Sequence, residues 1–281
     1  MIFLMENSLF LALLNMTAWR MDAPLLFGAF HIAAALITAA AAVGSAVFFA
    51  RRASSSCSTE SSLVRTLSVT GWILAILEIY KQLFLFHVVN GGAYDWWFFP
   101  FQLCSVPMYL CILLPFTRGG LRGTFLTFMG GYTFISAAAT LVFPEDILRP
   151  YVSLTIHGFV WHGLLLFISL LILLTGSADS SPRGLLKAAG LFAVLCVIAV
   201  MINIAVEPLM HAMPGLPHNW AAMFYMNPYH ISPQPVVDSI QKAAGIPAGL
   251  VLYAIVTATA GSLVIASFHR IPDQPQRNPQ R

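Results

Sequence analysis

Two stretches of the sequence hold side chains able to do covalent chemistry. Cys104 follows Gln102 in Trp96-Trp-Phe-Phe-Pro-Phe-Gln-Leu-Cys-Ser-Val-Pro107, and two histidines bracket Trp161 in His157-Gly-Phe-Val-Trp-His162. A thiol acts as a nucleophile when a nearby base or cation draws off its proton, and imidazole is a common base for it. A third stretch, Glu78-Ile-Tyr-Lys-Gln82, puts opposite charges three residues apart, on one helix face where they neutralise each other. Each pattern also has a plain packing reading. A membrane cysteine can be a small buried hydrophobe, a span histidine can simply hydrogen-bond a neighbour, and the ion pair can serve only to lock helices. At about 100° per residue, His157 and His162 point roughly 140° apart, so one at most faces Cys104 and the spacing leaves open which.

Other chemistries find little support. No His-x-x-x-His spacing occurs, and His211, His218 and His230 fall together in a long loop, so neither a metal site nor a cofactor is expected. There is no glycine-rich phosphate loop, no G-x-S-x-G elbow and no pair of acidic residues at a catalytic spacing. Cys57, Cys104, Cys111 and Cys196 lack paired spacing and three lie in apolar segments, which argues against disulfides and structural zinc; Cys111 reads as packing.

The elements that must position these residues are membrane helices. The chain has 281 residues, 58% hydrophobic and only 9% charged, against about 25% charged in soluble domains. Its net charge of +3 is spread over loops and implies no nucleic-acid partner. The predicted class is all-α, a polytopic bundle with seven spans near 25–50, 69–90, 97–116, 124–143, 152–175, 185–206 and 247–268. Residues 1–24 read as a retained interfacial segment, 25–268 as the transmembrane domain and 269–281 as a tail. Arginines and lysines cluster in alternate loops: Arg51, Arg52 and Arg65, then Arg118 and Arg122, then Arg183 and Lys187, then the tail. By the positive-inside rule the N-terminus is outside and the C-terminus cytoplasmic.

On that topology Cys104, His157, His162, Glu78, Lys81, Gln82 and Asn203 all fall in the outer half of the bilayer. Ionisable groups there are costly and usually face the bundle interior. Trp96 and Trp97 suit the headgroup level. Pro100 suits a first helical turn, and Pro107 should kink the third span beside Cys104. The outer loop 207–246 is rich in aromatics and Met, with Trp220, Tyr225 and then Asn227-Pro228, and reads as a flap on the outer interface. Gly130-Gly131 and Ser136-Ala-Ala-Ala139 allow close helix contact.

Three segments taken together, Leu77-Glu-Ile-Tyr-Lys-Gln82, Phe98-Phe-Pro-Phe-Gln-Leu-Cys-Ser-Val-Pro107 and Leu154-Thr-Ile-His-Gly-Phe-Val-Trp-His-Gly163, resemble the bacterial YwaF-type integral membrane family. The Leu-rich run to Leu174-Thr-Gly176 and Asn227-Pro look similar too, so the resemblance covers roughly residues 70–268. That family is similar to the vertebrate transmembrane-protein-164 group, described as phospholipid acyltransferases with a central cysteine and histidine. More distantly the arrangement resembles the androgen-induced-protein lipid hydrolases. The resemblance implies Cys104 as nucleophile and His162 as base, with His157 the fallback. It implies a multi-pass protein of the bacterial plasma membrane acting on membrane lipids by acyl transfer or hydrolysis. Glu78, Lys81, Gln82, Gln102, Asn203, Tyr225 and Asn227 are candidate substrate-binding residues, with Gln102, Lys81 or Asn203 as donors to an oxyanion. The rival readings are a transporter or receptor that binds a small polar solute in the same outer-half pocket, and a purely structural membrane protein.

Overall fold

The computed structural model describes residues 9, 11–54, 59–211, 216 and 218–269; Cys57, much of the N-terminal segment and most of the tail lie outside the described residues. Among the described residues there are helices and turns, with one isolated antiparallel bridge between Arg20 and Tyr151. The main helices are α1 (Ala29–Ser54), α2 (Thr59–Phe84), α3 (Val106–Leu113), α4 (Gly119–Val142), α5 (Val152–Leu174), α6 (Pro182–His211), α7 (Pro235–Ala244) and α8 (Ile246–His269). Six of these stretches are long and apolar enough to cross a membrane: 29–53, 60–89, 119–142, 152–174, 182–211 and 246–268.

The stretch expected as a third span is built differently. Trp96–Phe98 forms one tight 3-10 turn, capped by Asp95, whose carboxylate accepts the Trp97 N–H at 3.0 Å. Residues 99–102 are not helical, and the apolar helix that follows runs only from Val106 to Phe116, its last turn being 3-10. At 1.5 Å per residue it is about 16 Å long, roughly half the hydrocarbon core. Neither proline sits where the sequence suggested. Pro107 occupies the first turn of α3, where its missing N–H would lack a partner anyway, so it starts the helix and kinks nothing. Pro100 lies in the non-helical link.

α5 is the axis of the bundle, with Leu165, Ile168 and Leu171 wholly enclosed. α1 and α4 pack along it, α8 lies against α4, and α3 lies against α2. Arg122 in the first turn of α4 pairs with Glu60 in the first turn of α2, so these two helices run parallel. His31 of α1 is held between the Phe27 N–H, 3.1 Å from Nδ1, and the Leu141 carbonyl, 2.9 Å from Nε2. The former contact makes Nδ1 the acceptor, so Nε2 carries the proton and donates to Leu141.

Small residues decide how closely the helices approach, since lipid tails give apolar side chains no reason to leave them. A Cβ at Gly131 of α4 would press into the carbonyl oxygen of Gly261 of α8, and one at Gly71 would lie 2.7 Å from Cys111 Cβ. Cys111 is thus a packing residue between α2 and α3, fully buried. Gly190, by contrast, faces open space. Gly131→Ala should therefore destabilise by about 1–3 kcal/mol and lower the apparent melting temperature in detergent, whereas Gly190→Ala should leave it unchanged or slightly raised.

Candidate functional site

Glu78 and Lys81 form the expected ion pair, with Oε2 and Nζ 2.8 Å apart, and Glu78 is almost fully buried. Gln82, one turn further along α2, donates from Nε2 to Glu78 Oε1 at 2.7 Å and to the Phe98 carbonyl at 2.6 Å. The amide thus ties the aromatic turn Trp96–Phe98 to the carboxylate. Lys81 Nζ lies 5.8 Å over the ring of Trp161, a cation–π contact between α2 and α5.

Trp161 also fixes the cysteine turn, its indole Nε1 donating to the Cys104 carbonyl at 3.2 Å. Cys104 is partly buried in the turn that leads into α3. Gln82, Lys81 and Trp161 thus join α2, the 96–105 segment and α5, and Arg149 of the 143–151 loop lies 4.8 Å over the Phe98 ring. These contacts make one polar cluster of the four segments.

The two histidines differ in what their ring nitrogens do. His157 stacks near Trp161, with ring centroids 5.7 Å apart, and its Nε2 lies 3.1 Å from the Leu77 carbonyl. A carbonyl only accepts, so Nε2 carries the proton and staples α5 to α2. His162 Nδ1 lies 2.8 Å from the Gly158 carbonyl, one turn back on its own helix. By the same logic Nδ1 is protonated and Nε2 is left with a bare lone pair. That Nε2 is buried and among the described residues has no hydrogen-bond partner. An unpaired basic nitrogen inside a bundle is uncommon, and it marks His162 as the ring open to a new proton. It is not hydrogen-bonded to Cys104 in this state.

The amides further out hold chain. Gln102 accepts the Phe224 N–H at 2.9 Å and donates to the Ala222 carbonyl at 3.1 Å. Asn203 of α6, wholly buried, accepts the Met223 N–H at 2.8 Å and donates to its carbonyl at 3.1 Å. Asn227 closes the loop on itself, donating to the Ala221 carbonyl and accepting the N–H groups of Tyr229 and His230. All three side chains are thus engaged with loop backbone rather than standing open to a ligand. The loop is packed into the bundle: Ala221, Ala222, Met223 and Phe224 are completely buried, and Phe224 packs between Phe101 and Phe192. Its backbone is strained, with φ of 55° at both Phe224 and Tyr225.

Tyr225 donates its hydroxyl to Asp146 Oδ2 at 2.7 Å. Burial, with the Asp146 carboxylate beside it, pushes the phenol well above its ordinary range and keeps it protonated. Asp146 is the functional candidate that the sequence did not single out. It sits just past the end of a span, with Arg149 three residues on and 3.8 Å from it. Elsewhere in the loops, His218 bonds Asp95 at 2.7 Å and stacks on Trp97, while His230 reaches Glu207 at 2.5 Å. The free thiols described are Cys104, Cys111 and Cys196. Among the described residues no group of three or more metal-binding side chains converges.

A thiol, an ion pair and an unpaired imidazole gathered inside an apolar helical bundle define a multi-pass membrane protein with a polar cluster within its helices. The chain belongs to the TMEM164 family, whose model matches residues 26–265. No curated protein and no solved structure matches it.

Because Gln102 and Asn203 grip adjacent residues of one loop, their loss should be coupled. Asn203→Ala leaves a buried N–H and carbonyl unpaired, at about 1–3 kcal/mol each. Asn203→Ala and Gln102→Ala should each lower the melting temperature and expose the 221–226 loop to protease. In the double variant the combined effect should fall short of the sum, as a double-mutant cycle would read it.

Proposed function

We propose that this protein transfers acyl groups from membrane phospholipids, with Cys104 as nucleophile and His162 as the base. The observation that carries this reading is the buried, unpartnered Nε2 of His162, whose proton is held on Nδ1 by Gly158, next in the chain to Trp161, whose indole binds the Cys104 carbonyl. The Sγ–H proton passes to Nε2 as the sulfur attacks the ester carbonyl carbon. Collapse of the tetrahedral intermediate breaks the C–O bond, and the imidazolium returns its proton to the leaving glycerol oxygen. The thioester then passes its acyl group to the hydroxyl of a lysophospholipid, or to water, with His162 taking and returning one proton again. Lys81 is the donor best suited to the developing oxyanion, since the amides of Gln102 and Asn203 are engaged with the loop. Catalytic hydrogen bonds commonly tighten only once substrate is bound.

The same reading gives a topology. The parallel run of α2 and α4 supports a return of the chain across the membrane between them, with 96–116 as a seventh, broken crossing. With the basic loops inside, the N-terminus is outside, the C-terminus is cytoplasmic, and the cluster faces the outer leaflet of a bacterial plasma membrane. The division into an interfacial segment, a transmembrane domain and a tail follows from it.

The test uses purified protein and a phospholipid labelled in its acyl chain. Mass spectrometry should find the acyl group on Cys104. His162→Ala should slow turnover by about 10²–10⁴-fold, Cys104→Ser should abolish the adduct, and His157→Ala should cost less than His162→Ala. Unchanged turnover in a Cys104→Ser/His162→Ala double variant would rule the mechanism out.

A further inference from the structure

On the side of α5 away from the histidines lies a cleft that the proposed chemistry does not use. Phe159, Gly163 and Phe167 of α5 form its floor, α1 and α2 form its walls, and its volume is about 830 Å³. On α1 it is lined from Phe30 to Phe49. That is about 28 Å at 1.5 Å per residue, close to the hydrocarbon thickness of about 30 Å. The cleft exists because α1 lies along α5 and touches α2 only briefly. Gly163 permits this: a Cβ there would lie 2.8 Å from Thr38 Cγ2.

Chain connectivity gives the cleft a taper. α1 ends at Ser54 and α2 begins at Thr59, so the helices must converge at that end, where Ala46, Ala50, Leu63 and Leu67 are buried in a common core. A helix with side chains is about 10–12 Å across and does not fit a narrowing slot along its length; a flexible hydrocarbon chain does. The narrow end also carries charge. Arg65 lines the cleft there, and among the described residues no carboxylate pairs with it. A long arginine on an apolar wall lays its stem along the hydrocarbon and turns its head toward the interface. A guanidinium binds phosphate through paired N–H donors.

We propose that this cleft is a lipid site, in which one acyl chain of an anionic glycerophospholipid lies between α1 and α2 and its phosphate is held by Arg65. The site is separate from the Cys104 cluster and does not depend on the reading of that cluster.

The full chain, reconstituted in vesicles of phosphatidylcholine and phosphatidylglycerol, is extracted in mild detergent and weighed intact by native mass spectrometry. The expected result is retained phosphatidylglycerol in preference to phosphatidylcholine. Arg65→Gln should retain roughly tenfold less, the loss of one charged hydrogen-bonded contact, and Arg65→Lys should fall between. Ala41→Trp, which fills the cleft wall, should lower retention of both lipids. Arg65 is exposed, so its replacement leaves the core packing intact, and an unchanged melting temperature verifies this. Equal retention by Arg65→Gln would overturn the proposal, as would displacement of the lipid by millimolar inorganic phosphate, which would mark a bare anion site. A dimer that Ala41→Trp dissociates would overturn it too, assigning the cleft to a second copy of the chain.

Discussion

Backbone that is not helical is hard to keep inside a bilayer, because no water is present to pair its N–H and C=O groups, and each one left unpaired costs several kcal/mol. The same demand falls on two non-helical stretches packed among the helices of this chain, the 99–105 link and the 221–226 loop, and they answer one another. Gln102, from the first, supplies a donor and an acceptor to the second, and Asn203 does the same from the opposite side. Phe224 then fills the space between Phe101 and Phe192. With both stretches satisfied, the chain can break a helix beside Cys104 and present a thiol from a turn.

The left-handed Phe224 and Tyr225 fit this account. Non-glycine residues in that conformation cost of order 1–3 kcal/mol each and persist only where the surroundings over-determine them. Here two amides, two aromatic rings and the Tyr225–Asp146 hydrogen bond all act on four consecutive residues, 222–225. The Tyr225 hydroxyl donates to Asp146, which ties the loop to the 143–151 segment. The 221–226 loop is therefore tied to the polar cluster as well as to the helices.

What could be read from the sequence was what depends on local spacing. The Glu78–Lys81 pair follows from an interval of three on a helix, and Cys111 was legible as packing because it has no polar company in the chain. The gathering of α2, the cysteine turn and α5 could be anticipated by comparing depths. The break in the third apolar stretch could not, because hydropathy is blind to whether an apolar run is helical, and Pro107 was compatible with both a kink and a start. Gln102 and Asn203 looked like ligand-facing amides because their partners are backbone groups of another segment, and backbone carries no sequence signal. Asp146 was passed over for a similar reason: its meaning comes from Tyr225, far along the chain. The tautomers of the two histidines needed the carbonyls of Leu77 and Gly158 to be located.

The grip of Gln102 on the 222–224 backbone has a consequence for biosynthesis. The two partners are separated by 120 residues, which at about 5–20 residues per second puts roughly 6–24 s between their appearances at the ribosome. Throughout that interval the amide has entered the membrane with its eventual acceptor still untranslated. The nascent bundle must shelter it by other means, by water in a half-formed cavity or by an insertase, until α6 and the loop arrive. Seating that loop pairs the last of these buried amides, after which α8 follows and docks against α4.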